Sequence, residues 1–125
     1  MKVNQKQEIY SIIKNITDFN SFKFNESDFT SKEKMFKSLS ISPIVYNIKN
    51  NKKVFLTITN IEIIERYQQQ GIFSEILSIL ESKEIPIMID NIQNNVLFKH
   101  LKARGFENLK NQSLGGWTRC MYKTF

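Results

Sequence analysis

The second half of this chain predicts an α/β sheet with a parallel strand pair inside it. Three observations carry that expectation. "VFLTITNIEII", residues 54–64, is a β-branched run long enough for a central strand. The apolar residues from Gly71 to Glu81 and from Asn94 to Arg104 recur at helical spacing. Between and after those helices lie shorter apolar runs, so the order reads β–α–β–α–β–β. Strands that alternate with helices pair in parallel through a crossover. At 125 residues the chain is expected to be one domain, and 41% hydrophobic residues suffice for a modest core.

Taken in order, Ile9, Ile12, Ile13 and Ile16 make one apolar stripe and predict a helix over 5–16. "DFNSFKFNESDF" interrupts it with Asn and Ser. Ser27 or Asp28 then caps an expected second helix, 28–39, with Met35, Phe36 and Leu39 on its buried side. Pro43 closes that region. "IVYNIK", 44–49, alternates as a strand, and "NNKK" is expected to turn. "IPIMIDNI" is a strand with apolar residues on both parities, so both of its faces are covered. Gly105 ends the last helix as a left-handed cap. "FENL" is a short strand, "SLGG" a turn and "WTRCMYKTF" the final strand. No repeat, linker or second domain is visible.

The net charge is +6, from eighteen Lys and Arg against twelve Asp and Glu. That charge suits a solubilising surface or attraction to a polyanion. The single cysteine, Cys120, excludes an internal disulfide and a cysteine zinc cluster, and fits a reducing, cytoplasmic setting. The spaced apolar residues of "MKVNQKQEIYSIIKN" predict no signal peptide, and no run approaches the ~18 apolar residues of a membrane span.

The stretch "YQQQGIF" joins the central strand to the next helix. Such a turn leaves backbone N–H groups unpaired at the positive end of the helix dipole, which is an anion site. Gly71 removes a Cβ where a ligand would approach the backbone. The Gly-Lys-Ser/Thr ending of a Walker loop is missing.

In two motifs the chain resembles the GCN5-related N-acetyltransferase (GNAT) superfamily. That family carries an Arg/Gln-x-x-Gly-x-Gly/Ala turn after its fourth strand, and Gln68 and Gly71 match its first and central positions. Phe73 stands where the family has a small residue. The second motif is an Asn that opens an aliphatic helix ending in Gly-Phe, here "NNVLFKHLKARGF", with Asn94 eleven residues before Gly105. The resemblance covers roughly residues 44–125. It implies a GNAT-like mixed, mostly antiparallel sheet with a splayed central parallel strand pair, flanked by helices. Residues 44–125 would be the acetyl-CoA-binding core, and a helical segment 1–43 the acceptor side.

The resemblance also implies a site. Backbone amides of Gln69, Gln70, Gly71, Ile72, Phe73 and Ser74, with Gln68, would hold the pyrophosphate of acetyl-CoA. The edge at Ile61, Glu62 and Ile63 would pair with the pantetheine arm, and Asn94 and Phe98 would line the other side. The position of the family's acidic Tyr is occupied by Leu101. Candidate proton carriers are therefore Glu62 and Glu65, on or after the central strand, and Tyr122 on the last. His100 neighbours Leu101 but is rotated about 100° around the helix. The implied function is direct acetyl transfer to an amine of a small molecule or protein. The alternative is a catalytically inactive GNAT-fold binding module that engages a partner protein. A nucleic-acid binder is a third reading, but no aromatic–basic module supports it. No metal ligand set is visible, and a homodimer is left open.

Overall fold

The computed structural model describes residues 4–92, 94–109 and 119–125. Helix α1 (Gln5–Lys14) opens on a capping box: Asn4 accepts from the Gln7 amide, and the Gln7 side chain accepts from the Asn4 amide. Ile9 and Ile13 are its buried stripe. Strand β1 (Phe24–Asn25) and a 3-10 turn (Glu26–Asp28) follow.

The expected helix over 28–39 is not formed. Strand β2 (Phe36–Ile48) begins instead, and it makes a hairpin with β3 (Asn51–Ile63). Met35, Phe36 and Leu39 are buried as expected, but on the pleated face of a sheet. The physical reason is non-local. Thirteen residues of β3 offer a ladder, and "SLSIS" alternates with the pleat, Leu39 and Ile41 inward and the serines less buried. Pro43 is tolerated within β2 because β1 pairs only with Ser40 and Ile41, so β2 is an edge there. The turn falls at Lys49 and Asn50, one residue before the expected place. Both have positive φ, 53° and 67°, the requirement of a two-residue primed hairpin turn.

Helix α2 (Ile72–Ser82), strand β4 (Ile87–Ile92), helix α3 (Asn95–Ala103), and strands β5 (Glu107–Asn108) and β6 (Arg119–Lys123) complete the order. Gly105 has φ +94°, as a left-handed cap requires. The sheet order is β1-β2-β3-β4-β6-β5, and only β3 and β4 are parallel. The "SLGG" segment and the start of the last expected strand, with Trp117, lie outside the described residues.

Helices α1, α2 and α3 supply Ile9, Ile13, Ile72, Ile76, Leu77, Leu80 and Leu101 to one core against Leu56, Ile58, Ile87 and Ile89. Phe55, Met88, Cys120 and Tyr122 form a second, smaller cluster. Glu81 joins three elements at one end. Its carboxylate pairs with Arg104, and with Lys123 at 2.6 Å.

Two anchors fix the N-terminal segment, and both are polar. The buried Gln5 side chain accepts from the amides of Met35 (2.7 Å) and Phe36 (3.0 Å), where β2 begins. Glu8 accepts from Thr30 and Ser31, through both the amide and the hydroxyl of each. Burial opposes the charge on Glu8. The hydrogen bonds outweigh it and hold its pKa down at about 2.

Candidate functional site

The parallel pair is short. β3 and β4 pair at Leu56–Ile87, Thr57–Met88 and Ile58–Ile89, and then stop, although both strands continue. Each strand is irregular just past that level. Against β2, β3 carries an extra residue at Thr59, between the pairs Ile41–Ile58 and Ser40–Asn60. Against β6, β4 carries one between Ile89 and Ile92, where Asn91 has φ +64°. A bulge bends its strand and sharpens its twist. Two bulges at one level part the strands. The opening is a cavity of about 370 Å³, bordered by Thr59–Glu62 on β3, Ile89–Ile92 on β4, and Asn94 and Leu97.

From there a groove runs to the start of α2. Ile61, Glu62, Ile63, Gln68, Phe73, Asn94 and Leu97 border its middle. Gln68 through Ser74, with His100, border the far end, a cavity of about 420 Å³. Asn94 borders all three parts. Its side chain caps α3 by accepting from the Val96 amide at 2.8 Å.

The loop before α2 is held by its own side chains. The Gln68 amide nitrogen donates to the Ile63 carbonyl at 2.9 Å, and Gln70 donates to the Arg66 carbonyl at 3.3 Å. The Tyr67 hydroxyl donates to Glu33 at 2.8 Å. Gln69 and Gly71 take left-handed φ, 64° and 74°. The first helical bond inward from Gly71 runs from the Glu75 amide to the Gly71 carbonyl, 2.9 Å. The six backbone N–H groups from Gln69 to Ser74 therefore have no protein acceptor among the described residues. A Cβ on Gly71 would meet nothing within 4 Å, so its positive φ is the internal requirement and the space above it is open. Phe73 packs its half-buried ring against the main core while it borders the groove.

The structure brings together Ile61, Glu62, Ile63, Gln68 through Ser74 and Asn94. It does not bring in every expected residue. Phe98 packs on the core with Arg119 stacked 4.3 Å over its ring, outside the groove lining. Glu65 sits exposed in a 3-10 turn (Glu65–Tyr67) and borders none of the three parts. Tyr122 belongs to the smaller cluster and lines a separate cavity with Glu107, Lys49 and Lys53. Its hydroxyl donates to Glu107 at 2.7 Å, and that bond raises its pKa. Leu101 is wholly buried in the main core. Glu62 is more than half exposed and lies 3.7 Å from Lys37, a weak pair.

Sequence reasoning left several groove residues outside the expected site, among them Leu97, which borders all three parts, and two that carry ionisable groups, His100 and Asp90. His100 borders the far end, its Nε2 3.2 Å from the Ser74 hydroxyl. That contact repeats one turn on, where Arg104 donates to Ser78 at 3.1 Å, so α2 and α3 run side by side in the same direction. Asp90 borders the opening between the strands. Nothing local in "MIDNI" marked it, because the opening is made by register shifts.

No family model and no curated protein matches the chain. It is similar in structure to the Bacillus subtilis N-acetyltransferase YlbP, solved in complex with coenzyme A. The TM-score is 0.56 at 13% identity, over 78% of this chain and 64% of that one. The fold is that of the GCN5-related N-acetyltransferases. The parted parallel strands and the left-handed glycine before α2 are features of this chain that accord with it. Two looser likenesses have a TM-score of 0.49. One is a mutant AtaT toxin bound to the C-terminus of the antitoxin AtaR and acetyl-CoA, at 13% identity over 72% of this chain and 58% of that one. The other is Arabidopsis thaliana Naa50 in complex with a bisubstrate analogue, at 15% identity over 100% and 97%. The chain thus spans less than two thirds of the length of YlbP.

Proposed function

We propose that this protein is an acetyl-CoA-dependent N-acetyltransferase that moves an acetyl group directly to an amine. The observation that carries the proposal is the row of six unpaired N–H groups at the N-terminus of α2, one groove away from the opening between β3 and β4. Backbone donors and a helix dipole favour a dianionic pyrophosphate and need no side-chain charge. The residues present fit that group. The space over Gly71 is open, and the wall beside it is apolar, with Ile63, Phe73 and Leu97.

The unpaired edge of β3 at Ile61–Ile63 is placed to pair with the amides of the pantetheine arm. The thioester then reaches the opening between the strands. There a neutral amine attacks the carbonyl carbon, the carbon–sulfur bond breaks, and the thiolate departs. Glu62 lines the wall of that opening and would take the amine's proton through water. Most of the rate would come from positioning.

A second reading has one specific observation in its favour. The family's acidic Tyr position is Leu101, and Leu101 is part of the core, so no rotamer brings a proton donor from it into the groove. A binding module that keeps the fold and engages a partner protein accounts for that equally.

Calorimetric titration with acetyl-CoA, with CoA in parallel, tests the first reading. One site per chain at micromolar affinity supports it, and release of free thiol on addition of an amine completes it. No heat at millimolar acetyl-CoA, with no change in melting temperature, sinks it and leaves the second.

A further inference from the structure

The amine acceptor is the open half of the proposed reaction, and the groove itself carries information about it. Asp90 is the first residue of β4 beyond the last paired position, Ile89. The irregularity between Ile89 and Ile92 follows at once, and Asn91 takes its left-handed conformation there. The Asp90 side chain is half-buried, and the residue lines the opening with Ser38, Asn60 and Glu62.

Among the described residues its surroundings are short of positive charge. One oxygen accepts from the Asn91 amide at 2.8 Å. The Cys120 thiol lies on its other side, and the Tyr46 phenol also feels its charge. Burial first, and then Asp90, push the thiol up to about 12, so Cys120 stays protonated beside it. The ion pairs among the described residues join Lys37 to Glu62, and Arg104 and Lys123 to Glu81. None involves Asp90. No Lys or Arg among the described residues borders the opening. This is the reverse of what the net charge of +6 suggests for a partner. A half-buried carboxylate with no cation paired to it among the described residues favours a ligand that brings one.

We infer that Asp90 is the specificity-determining residue of the acceptor site, and that the acceptor is a primary amine recognised as its ammonium ion rather than an acidic molecule. The inference rests on the acetyltransferase reading of the groove. Asp90 holds the ammonium at the wall opposite Glu62. The amine is thereby kept at the mouth of the opening until it loses its proton.

Chemical-shift titration of the CoA-bound protein tests this without turnover, with n-butylammonium, butyrate and butanol as probes. Expected is saturable binding of n-butylammonium, with the amides of Ile89–Ile92 shifting, and at least tenfold weaker binding of the other two. Asp90→Asn weakens n-butylammonium at least tenfold, and Glu65→Gln, outside the groove, leaves it unchanged. Butyrate or butanol binding as well as n-butylammonium overturns the inference, and that discrimination needs no variant to fold. So does n-butylammonium binding that is indifferent to Asp90→Asn. CoA binding with no amine binding removes the inference and keeps the acetyltransferase reading. Amine binding through Asp90 with no CoA binding does the opposite.

Discussion

The two ends of one groove are built from opposite electrostatics. At the start of α2 the wall is six backbone N–H groups, and its only ionisable neighbours among the lining residues are Tyr67 and His100. At the opening between β3 and β4 the wall carries two carboxylates, Glu62 and Asp90. The donor end gets its positive potential from peptide geometry, which no surface lysine need supply. The acidic end gets its potential from side chains exposed by two bulges. A net charge of +6 describes neither end, because potentials in a cleft follow local groups and not the sum over the chain.

The largest effect that would break this contrast is expected at Gly71. Gly71→Val puts a branched side chain at φ +74° and into the open space, and is expected to weaken acetyl-CoA binding at least 100-fold by calorimetry. Gly71→Ala sharpens the point. Its Cβ meets no protein atom, so backbone strain of about 1 kcal/mol is its only internal cost. A larger loss of affinity than of stability would show that the ligand itself approaches the backbone there. Equal losses would leave Gly71 a purely conformational residue.

Phe73 decides whether the middle of the groove is wall or plug. Phe73→Ala is expected to cost about 2 kcal/mol of stability in urea, since the ring is only half-buried on the core. Acetyl-CoA affinity is expected to stay within about threefold, as for a wall. A gain of tenfold or more would mean that the ring blocks the donor end.

The segment before β2 is tied down by α1 through Glu8, and acid should loosen it. The pKa of Glu8 is about 2 in the folded chain, against 4.5 for the free side chain. A depressed pKa contributes stability above 4.5, and that contribution is lost as pH falls toward 2. The carboxylate is partly exposed, so we expect on the order of 1 kcal/mol. Glu8→Gln should therefore lower the urea midpoint at pH 7 and have little effect at pH 2.5. Equal loss at both pH values would contradict the assignment.

The smallest effect is expected at Asn94, which borders both ends. Asn94→Ala removes the cap of α3 and should cost about 1 kcal/mol, or roughly 3–6 °C in melting temperature. Acetyl-CoA binding should fall only by what the loosened α3 allows.

Much of the donor end was legible beforehand. The β-branched run, the helical period after Gly71 and the spacing from Asn94 to Gly105 are local signals; the two helices formed within one residue of their expected bounds, and the strand began three residues earlier than expected, at Asn51. The N-terminal segment was not legible in the same way. Residues 28–39 carry apolar positions that suit a helix, but Phe36 to Ile48 pair with β3 across the hairpin turn. The polar anchors Gln5 and Glu8 look like any exposed helix residues until their distant partners are in place.

By itself the sequence determined the order of elements after residue 50, the glycine at the turn before α2 and the left-handed cap at Gly105. These follow from side-chain period and from φ, which are properties of neighbouring residues. Only the tertiary structure decided that residues 36–43 extend the expected strand into β2 instead of ending a helix, that Tyr122 lies away from the groove and that Asp90 borders its acidic end. Those depend on which strands pair and where their registers slip. Each slip is a choice between residues far apart in the chain, and no local pattern records it.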